Sequence, residues 1–180
     1  MYSDKIISEV IGIEGGYVND ASDSGGATRW GITKRTARRY GYTGKMRYLP
    51  REVAIDIYRR GYWDKIRGDD ILHYAGSNVA AEVFEQAVNM GVTRASRNLQ
   101  RILNVLNNRG KLYRDLRVDG QIGNATIVAL KAYTAKRVRR GVKVLWKLLN
   151  SLQGAFYVEL AENREKDEKF MYGWAANRVG

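Results

Sequence analysis

The segment from Glu14 to Thr33 constrains the fold more than any other part of the chain. It reads EGGYVNDASDSGGATRWGIT and contains five glycines, with Gly-Gly pairs at 15–16 and 25–26. Glycine pairs end helices and form tight turns, because glycine accepts positive φ angles without steric cost. A continuous helix cannot run through this segment, so the flanking helices must end before it and begin after it.

A short helix is predicted before this segment, from Ser3 to Ile13. Three aliphatic residues lie seven, four and three positions before Glu14 and share its helical face: Ile7, Val10 and Ile11. A carboxyl group on this apolar face, at the negative end of the helix dipole, should have a raised pKa. A raised pKa suits a general acid that works near neutral pH. A solvated glutamate in the last turn is the alternative.

A small β-hairpin is predicted next, because two short extended segments, 17–19 and 27–32, flank turn-forming residues at 20–26. The hairpin would bring Asp23 and Thr28 back toward the end of the first helix. The site would then hold one carboxyl group with a raised pKa, one hydrated carboxylate and one hydroxyl. Two carboxyl groups in unlike environments are the minimum machinery for cleaving a glycosidic bond.

The order of residues in this segment resembles a known enzyme signature. Residues 14–33 follow the pattern E-G-G-Y-x-N-x-x-x-D-x-G-G-x-T-x-x-G-I-T, which is similar to that of the phage and prophage endolysins of glycoside hydrolase family 108. These enzymes are N-acetylmuramidases with a lysozyme-like α-helical fold. The resemblance implies that Glu14 is the general acid, that Asp23 is a base or electrostatic stabiliser, and that Thr28 positions water.

Five further residues are candidates for substrate binding. Tyr17 and Trp30 are the aromatic residues nearest to the predicted site, and either sugar stacking or core packing would explain them. Tyr62 and Trp63 close a later predicted helix, where the same two roles are open. Asn89 lies in an N-x-G sequence that resembles the family, and it would either position substrate or cap a helix.

The predicted fold class is mainly α, a lysozyme-like α-helical fold with one small β-hairpin near the N-terminus. Residues 1–91 form the predicted catalytic lobe. Residues 92–180 resemble helical peptidoglycan-binding modules, because L-Q at 99–100 is followed by V-D-G-x-I-G-x-x-T at 118–126. This second segment is expected to pack onto the first as one globule, with or without wall binding of its own.

Charge and residue usage narrow the class of function. The net charge of +12 at pH 7 favours polyanionic partners, among them the anionic polymers of a bacterial envelope. The segment Lys131–Lys147 contains seven cations and no anion, which is typical of a polyanion- or membrane-surface helix, or of a core helix with a basic exterior. Without cysteine, and with His73 as the single histidine, Cys-His catalysis is excluded and a zinc amidase nearly so. No metal or cofactor is expected.

The expected location follows from two further sequence observations. The chain has no run of about 18 apolar residues and no basic-then-apolar start, so neither a membrane span nor a signal peptide is expected. We expect a monomer that stays in the host cytoplasm. The resemblance implies that a separate membrane-permeabilising protein releases it to the cell wall.

The predicted reaction is hydrolysis of the β-1,4 bond between N-acetylmuramic acid and N-acetylglucosamine in bacterial peptidoglycan, leading to host cell lysis. A lytic transglycosylase, which uses one glutamate as acid and then as base, is the first alternative; the Asp23 and Thr28 pair argues mildly against it. A basic helical nucleic-acid-binding protein is the second, but it leaves the glycine-rich segment unexplained, and no nucleic acid partner is expected. Retention or inversion depends on whether the carboxyl groups lie roughly 5–5.5 or 6.5–9.5 Å apart.

Overall fold

The computed structural model describes residues 2–13, 16–18 and 27–179. Glu14, Asn19 and Asp23 lie outside the described residues. The described chain is mainly α-helical with a small two-stranded antiparallel sheet near the N-terminus, as predicted. It divides into two compact units, Met1–Lys65 and Ile66–Gly180.

The first unit combines short helices with the small sheet. Its elements are α1 (Tyr2–Ile13), β1 (Thr28–Arg29), β2 (Ile32–Thr33), α2 (Lys34–Arg39), a 3₁₀ turn (Met46–Tyr48), α3 (Arg51–Tyr58) and a π-helical turn (Arg59–Trp63). The hydroxyl oxygen of Thr33 accepts a hydrogen bond from the Thr36 backbone N–H at 3.2 Å, which caps α2 as the sequence predicts. The core of this unit contains side chains from α1, α3 and the π-helical turn: Ile7, Ile11, Ala54, Ile57, Tyr58 and Trp63.

The structure has a tight hairpin turn inside the second predicted extended segment. Arg29 pairs with Ile32, so the loop consists of Trp30 and Gly31, with φ angles of 55° and 71°. Positive φ at both loop residues is the mark of a type I′ turn, whose twist matches that of paired strands. The sequence predicted 27–32 as one extended segment, which is wrong because Gly31 allows the chain to reverse inside it. Val18, in the other predicted segment, forms an isolated antiparallel bridge with Thr28, which is a pairing that the sequence predicts; the predicted turn at 20–26 is outside the described residues.

All the regular elements described in the second unit are helices. These are α4 (Gly68–Met90), α5 (Val92–Leu106), α6 (Asn124–Asn163), a 3₁₀ turn (Glu165–Asp167) and α7 (Glu168–Arg178). α4 packs against both α5 and α6. Gly76 interrupts α4 with a φ of 80°, where the sequence predicted a break, and Gly91 ends it with a φ of 88°. None of the described helices is both long and apolar enough to cross a membrane.

α6 is continuous except for one break at Val138. The apolar spacing in the sequence predicts two separate helices, about 124–135 and 142–164, whereas the structure has one element with non-helical angles at Val138 (φ 43°, ψ −144°). Beside the break, the Tyr133 hydroxyl donates a hydrogen bond to the Gly141 carbonyl oxygen at 2.9 Å. A Cβ atom at position 141 would lie 2.1 Å from the Arg137 Cβ, so the break requires glycine there.

The loop at 118–126 is held by one buried amide, Gln100. Its Nε2 donates to the Asp119 carboxylate and to the Gln121 carbonyl oxygen, both at 2.9 Å. Its Oε1 accepts from the Gly120 backbone N–H at 3.0 Å. Gly120 has a φ of 81°, and a Cβ there would lie 2.6 Å from a Thr93 methyl group. The Gln and the Asp-Gly pair of the predicted module therefore form one structural unit.

Candidate active site

α1 presents the apolar face that the sequence predicts. Ile7 and Ile11 have no exposed surface and Val10 is 8% exposed, so the positions seven, four and three residues before Glu14 are all buried. The helix ends at Ile13. Because Glu14 and Asp23 are outside the described residues, their roles and separation stay predictions.

Two arginines of α3 and the π-helical turn fix the position of α1. The Arg51 guanidinium donates to the Ser8 carbonyl oxygen at 2.9 Å. The Arg59 guanidinium donates to the Ser3 hydroxyl at 3.0 Å and to the Asp4 carboxylate at 2.5 Å. The hydrogen bond from Arg59 also holds the pKa of the Asp4 carboxyl below its usual value. The helix that leads into the predicted acid is thus anchored along its length.

Tyr17 is close to Thr28, the first residue of β1. Thr28 and Val18 exchange two backbone hydrogen bonds, both 2.8 Å long, so Tyr17 is next to a residue paired with Thr28. Thr28 is half-buried and Tyr17 is 40% exposed. The structure therefore brings these two predicted site residues together.

Trp30 is held by hydrogen bonds at its backbone and its side chain. Its indole N–H donates to the Leu49 carbonyl oxygen at 3.1 Å, and the Tyr58 hydroxyl donates to the Trp30 carbonyl oxygen at 3.1 Å. The guanidinium groups of Arg29 and Arg51 lie 5.3 and 6.0 Å from its ring centroid. These contacts position the hairpin turn on the helices, and the proposed stacking of Trp30 on sugar stays a prediction.

A basic cleft of about 440 Å³ opens beside Tyr17. Lys34, Arg38, Lys45 and Arg47 line it, and no acidic residue is among its described lining residues. The Arg47 guanidinium lies 5.9 Å from the Tyr17 ring centroid, and Arg38 donates to the carbonyl oxygens of the 42–44 loop. Such a cleft suits an anionic ligand. The sequence predicts a short basic helix at 33–40, which includes Lys34 and Arg38. It does not predict the contribution of Lys45 and Arg47, because their loop has no periodic pattern.

Tyr62 and Trp63 differ sharply in exposure. Trp63 has no exposed surface, so its environment supports the core-packing role rather than sugar stacking. Tyr62 is half-buried, and its ring centroid lies 5.6 Å from that of Tyr58. Tyr62 therefore keeps both of its predicted roles open.

Asn89 belongs to the second unit, near the end of α4. Its Oδ1 accepts a hydrogen bond from the Arg178 guanidinium of α7 at 2.6 Å. This contact ties α7 to α4 within the second unit. Neither of the predicted roles of Asn89, substrate positioning or capping, is tested by this hydrogen bond.

A buried carboxyl group in the second unit escaped sequence reasoning. Glu82 is 6% exposed, and its Oε1 accepts a hydrogen bond from the Gln86 amide at 2.8 Å. Gln86 in turn accepts one from Asn98 at 3.0 Å and donates to the Leu149 carbonyl oxygen at 2.9 Å. The signal was the spacing of Glu82, three residues after Val79 and four before Gln86, on the inward side of α4.

Glu82→Gln is expected to stabilise the protein by about 1–3 kcal/mol at pH 8 and to have little effect at pH 4. Burial raises the pKa of the Glu82 carboxyl from 4.5 to about 7. The folded state therefore holds this proton more tightly than the unfolded state does. Its contribution to stability is complete below about pH 4.5 and is lost as the pH rises through about 7.

Urea denaturation of the wild type and Glu82→Gln at intervals from pH 4 to pH 8 measures this difference. Glu162→Gln, which removes an exposed carboxyl group from α6, is the matched control and should show no such trend. A constant difference between Glu82→Gln and the wild type across this range would contradict the raised pKa.

Within residues 2–13, 16–18 and 27–179, no three His, Cys, Asp or Glu side chains are grouped so that they could hold a metal ion. The described residues around the sheet contribute cationic, aromatic and hydroxyl groups, and the predicted carboxyl groups at 14 and 23 are next to them in sequence.

Two family models match consecutive stretches of the chain, and one solved structure resembles almost all of it. No curated protein sequence matches it. A solved structure of Brucella abortus SagA is 26% identical, with a TM-score of 0.61, and the alignment covers 97% of this chain and 87% of that one. The family model described as glycosyl hydrolase 108 matches residues 7–91, and the one described as a predicted peptidoglycan domain matches residues 94–179. The chain therefore contains a glycosyl hydrolase 108 domain, followed by a peptidoglycan-binding-like domain.

Proposed function

We propose that this glycoside hydrolase is an N-acetylmuramidase that cleaves the β-1,4 bond between N-acetylmuramic acid and N-acetylglucosamine in peptidoglycan. The observation that carries the proposal is the buried face of α1, which leads directly into the E-G-G-Y motif of a glycosyl hydrolase 108 domain. This helix is anchored by Arg51 and Arg59, and its buried face is the one that the sequence predicts to carry the acid. The match of residues 94–179 to a peptidoglycan domain supports peptidoglycan as the substrate.

In the proposed reaction, Glu14 is protonated and donates its proton to the bridging oxygen as the C1–O bond of N-acetylmuramic acid breaks. Positive charge develops at the sugar ring, and an ionised Asp23 stabilises it or activates water. Water adds its oxygen to C1, and its proton is accepted by the base. Thr28, which forms the bridge with Val18, holds that water.

The basic cleft beside Tyr17 gives the proposed substrate a place to bind. Tyr17 follows Glu14 by three residues, and three residues of chain span at most about 11 Å. The cleft is therefore near the predicted acid. Peptidoglycan carries carboxylates on its stem peptides, and on those lactyl groups that bear no stem peptide, and the four cations of the cleft suit them.

The biological role that we propose is that of a phage endolysin. The enzyme would act as a monomer, accumulate in the host cytoplasm and reach the wall when a separate protein permeabilises the membrane. The resemblance of residues 14–33 to endolysin signatures supports this role. Expression inside a bacterium, with and without a membrane-permeabilising protein, tests it: lysis that needs no such protein would count against the proposal.

Mass spectrometry of the soluble products released from purified peptidoglycan tests the proposed bond and reaction. Products with reducing N-acetylmuramic acid ends are expected. Products with 1,6-anhydro ends would show a lytic transglycosylase instead. The absence of any product, together with duplex DNA binding that weakens steeply with salt, would favour the nucleic-acid-binding alternative.

A further inference from the structure

A second candidate binding site lies in the second unit, mostly among residues that match a peptidoglycan domain. A groove of about 880 Å³, here called the α4–α6 groove, opens between α4 and the two halves of α6 on either side of Val138. This volume lies in the range of small-ligand sites, about 300–1,000 Å³. Eight of its ten lining residues fall within 94–179, the range that matches a peptidoglycan domain.

The rim of the groove is cationic. Lys131, Arg139 and Lys143 line it and are exposed, and its described lining contains no carboxylate. The Lys131 ammonium lies 5.8 Å from the Tyr74 ring centroid, so it is held over one wall of the groove. Uncompensated positive charge around a concavity attracts an anionic ligand.

The floor of the groove is apolar and aromatic. Tyr74 from α4 and Trp146 from α6 are both half-buried, so each ring is supported by the core and has part of its surface in the groove. A rigid aromatic surface next to charged groups is a suitable platform for the apolar face of a sugar ring. The groove therefore combines one group of contacts for a sugar with another for carboxylates.

The break in α6 builds this arrangement. Val138 has a φ of 43°, a conformation that a β-branched residue rarely adopts and that persists only where the surrounding structure imposes it. The Tyr133–Gly141 hydrogen bond and the missing Cβ of Gly141 fix the break. Because α6 changes direction there, Lys131 before the break and Lys143 after it line the same groove.

We propose that the α4–α6 groove binds a carboxylate-bearing peptidoglycan strand away from the bond being cleaved. A sugar ring lies against Tyr74 and Trp146, and the carboxylates of lactyl groups or stem peptides pair with Lys131, Arg139 and Lys143. The inference rests on the proposed polymer, peptidoglycan, but not on the proposed cleavage reaction. It assigns to the second unit a defined site rather than a general basic surface.

Cosedimentation with insoluble peptidoglycan, measured in the full-length Glu14→Gln background, tests the groove. The variant Lys131→Gln/Arg139→Gln/Lys143→Gln removes the three rim charges from exposed positions. We expect it to bind peptidoglycan about 10-fold or more weakly, since each ion pair contributes modestly and three are lost. Thermal unfolding of the same variant should match that of its parent.

The same helix provides a matched control. Lys136→Gln/Arg137→Gln/Arg140→Gln removes an equal charge from three exposed residues of α6 that do not line the groove. This variant should bind within about 2-fold of its parent at 0.15 M salt, because these side chains do not line the groove and exposed charges that form no direct pair contribute little. Equal losses in both triple variants would overturn the proposal, because binding would then be a diffuse effect of net charge.

Two changes of ligand identify what the groove recognises. Peptidoglycan freed of phosphate polymers should bind the parent as strongly as untreated peptidoglycan does. Peptidoglycan whose carboxylates have been amidated should bind the parent as weakly as untreated peptidoglycan binds the Lys131→Gln/Arg139→Gln/Lys143→Gln variant. Binding that instead follows phosphate polymers, or phosphatidylglycerol vesicles, would overturn the proposal. Trp146→Leu, which keeps an apolar side chain at this half-buried position, should also weaken binding. Unchanged binding in this variant would contradict the proposed contact between Trp146 and a sugar ring.

These readouts separate this inference from the proposed function. Product analysis can fail to show a muramidase while groove-dependent binding persists. A true muramidase can likewise bind peptidoglycan without using the groove. Each result is obtained from its own measurement on the same full-length protein.

Discussion

Glu14→Gln is expected to lower kcat on purified peptidoglycan by about 10²–10⁴-fold, the usual contribution of a general acid. Glutamine has nearly the size of a protonated glutamic acid but cannot donate a proton to the bridging oxygen at neutral pH. KM should change little, because the cationic and aromatic groups that we assign to binding are untouched. Release of reducing ends, followed against substrate concentration, separates the two constants.

Glu9→Gln is the matched control for this substitution. Glu9 is on the same helix, α1, and its side chain is 65% exposed, with a loose ion pair of 3.9 Å to Lys5. The change removes the same charge from the same element but should leave kcat within about 2-fold, as exposed pairs contribute little. Full activity in Glu14→Gln, or an equal loss in Glu9→Gln, would contradict the assignment of Glu14 as the acid.

Trp63→Ala is expected to destabilise the first unit by about 3–5 kcal/mol, the usual cost of removing a large aromatic side chain from a core. Trp63 has no exposed surface and ends the π-helical turn that follows α3. A loss of this size is a large part of the 5–15 kcal/mol by which a typical domain is stable. Chemical denaturation followed by near-ultraviolet circular dichroism measures the change.

The control for Trp63→Ala is the neighbouring aromatic residue. Tyr62 is half-buried, so Tyr62→Ala should cost less stability, and it should raise KM if its ring stacks on substrate. Trp63→Phe keeps most of the buried volume and provides a folded variant if the alanine variant is too unstable. A raised KM in Trp63→Phe with unchanged stability would contradict the core-packing role.

Local patterns predicted much of the helical structure correctly. The apolar spacing in α1 predicted its buried face, Thr33 was recognised as a cap, and Gly76 and Gly91 marked a break and an end in α4. These features depend on interactions between residues a few positions apart, which the sequence displays directly. The catalytic candidates at 14, 23 and 28 came from the spacing of one motif.

Residues far apart in sequence determined what the patterns missed. Trp30 binds the Leu49 carbonyl oxygen and Tyr17 lies under Arg47, so the hairpin turn and the basic cleft depend on a loop with no periodic signal. Glu82 was missed because its burial comes from packing against other helices, with Gln86 bridging to Leu149.

The sequence by itself determined the helical class, the glycine-rich interruption and the family-like motif, because helix periodicity, glycine conformation and motif spacing are properties of neighbouring residues. Only the tertiary structure decided that Trp63 is buried, that Val138 breaks α6, and that lysines on both sides of this break face one groove. Burial and concavity arise when distant segments pack together, and a linear pattern does not specify which segments these are.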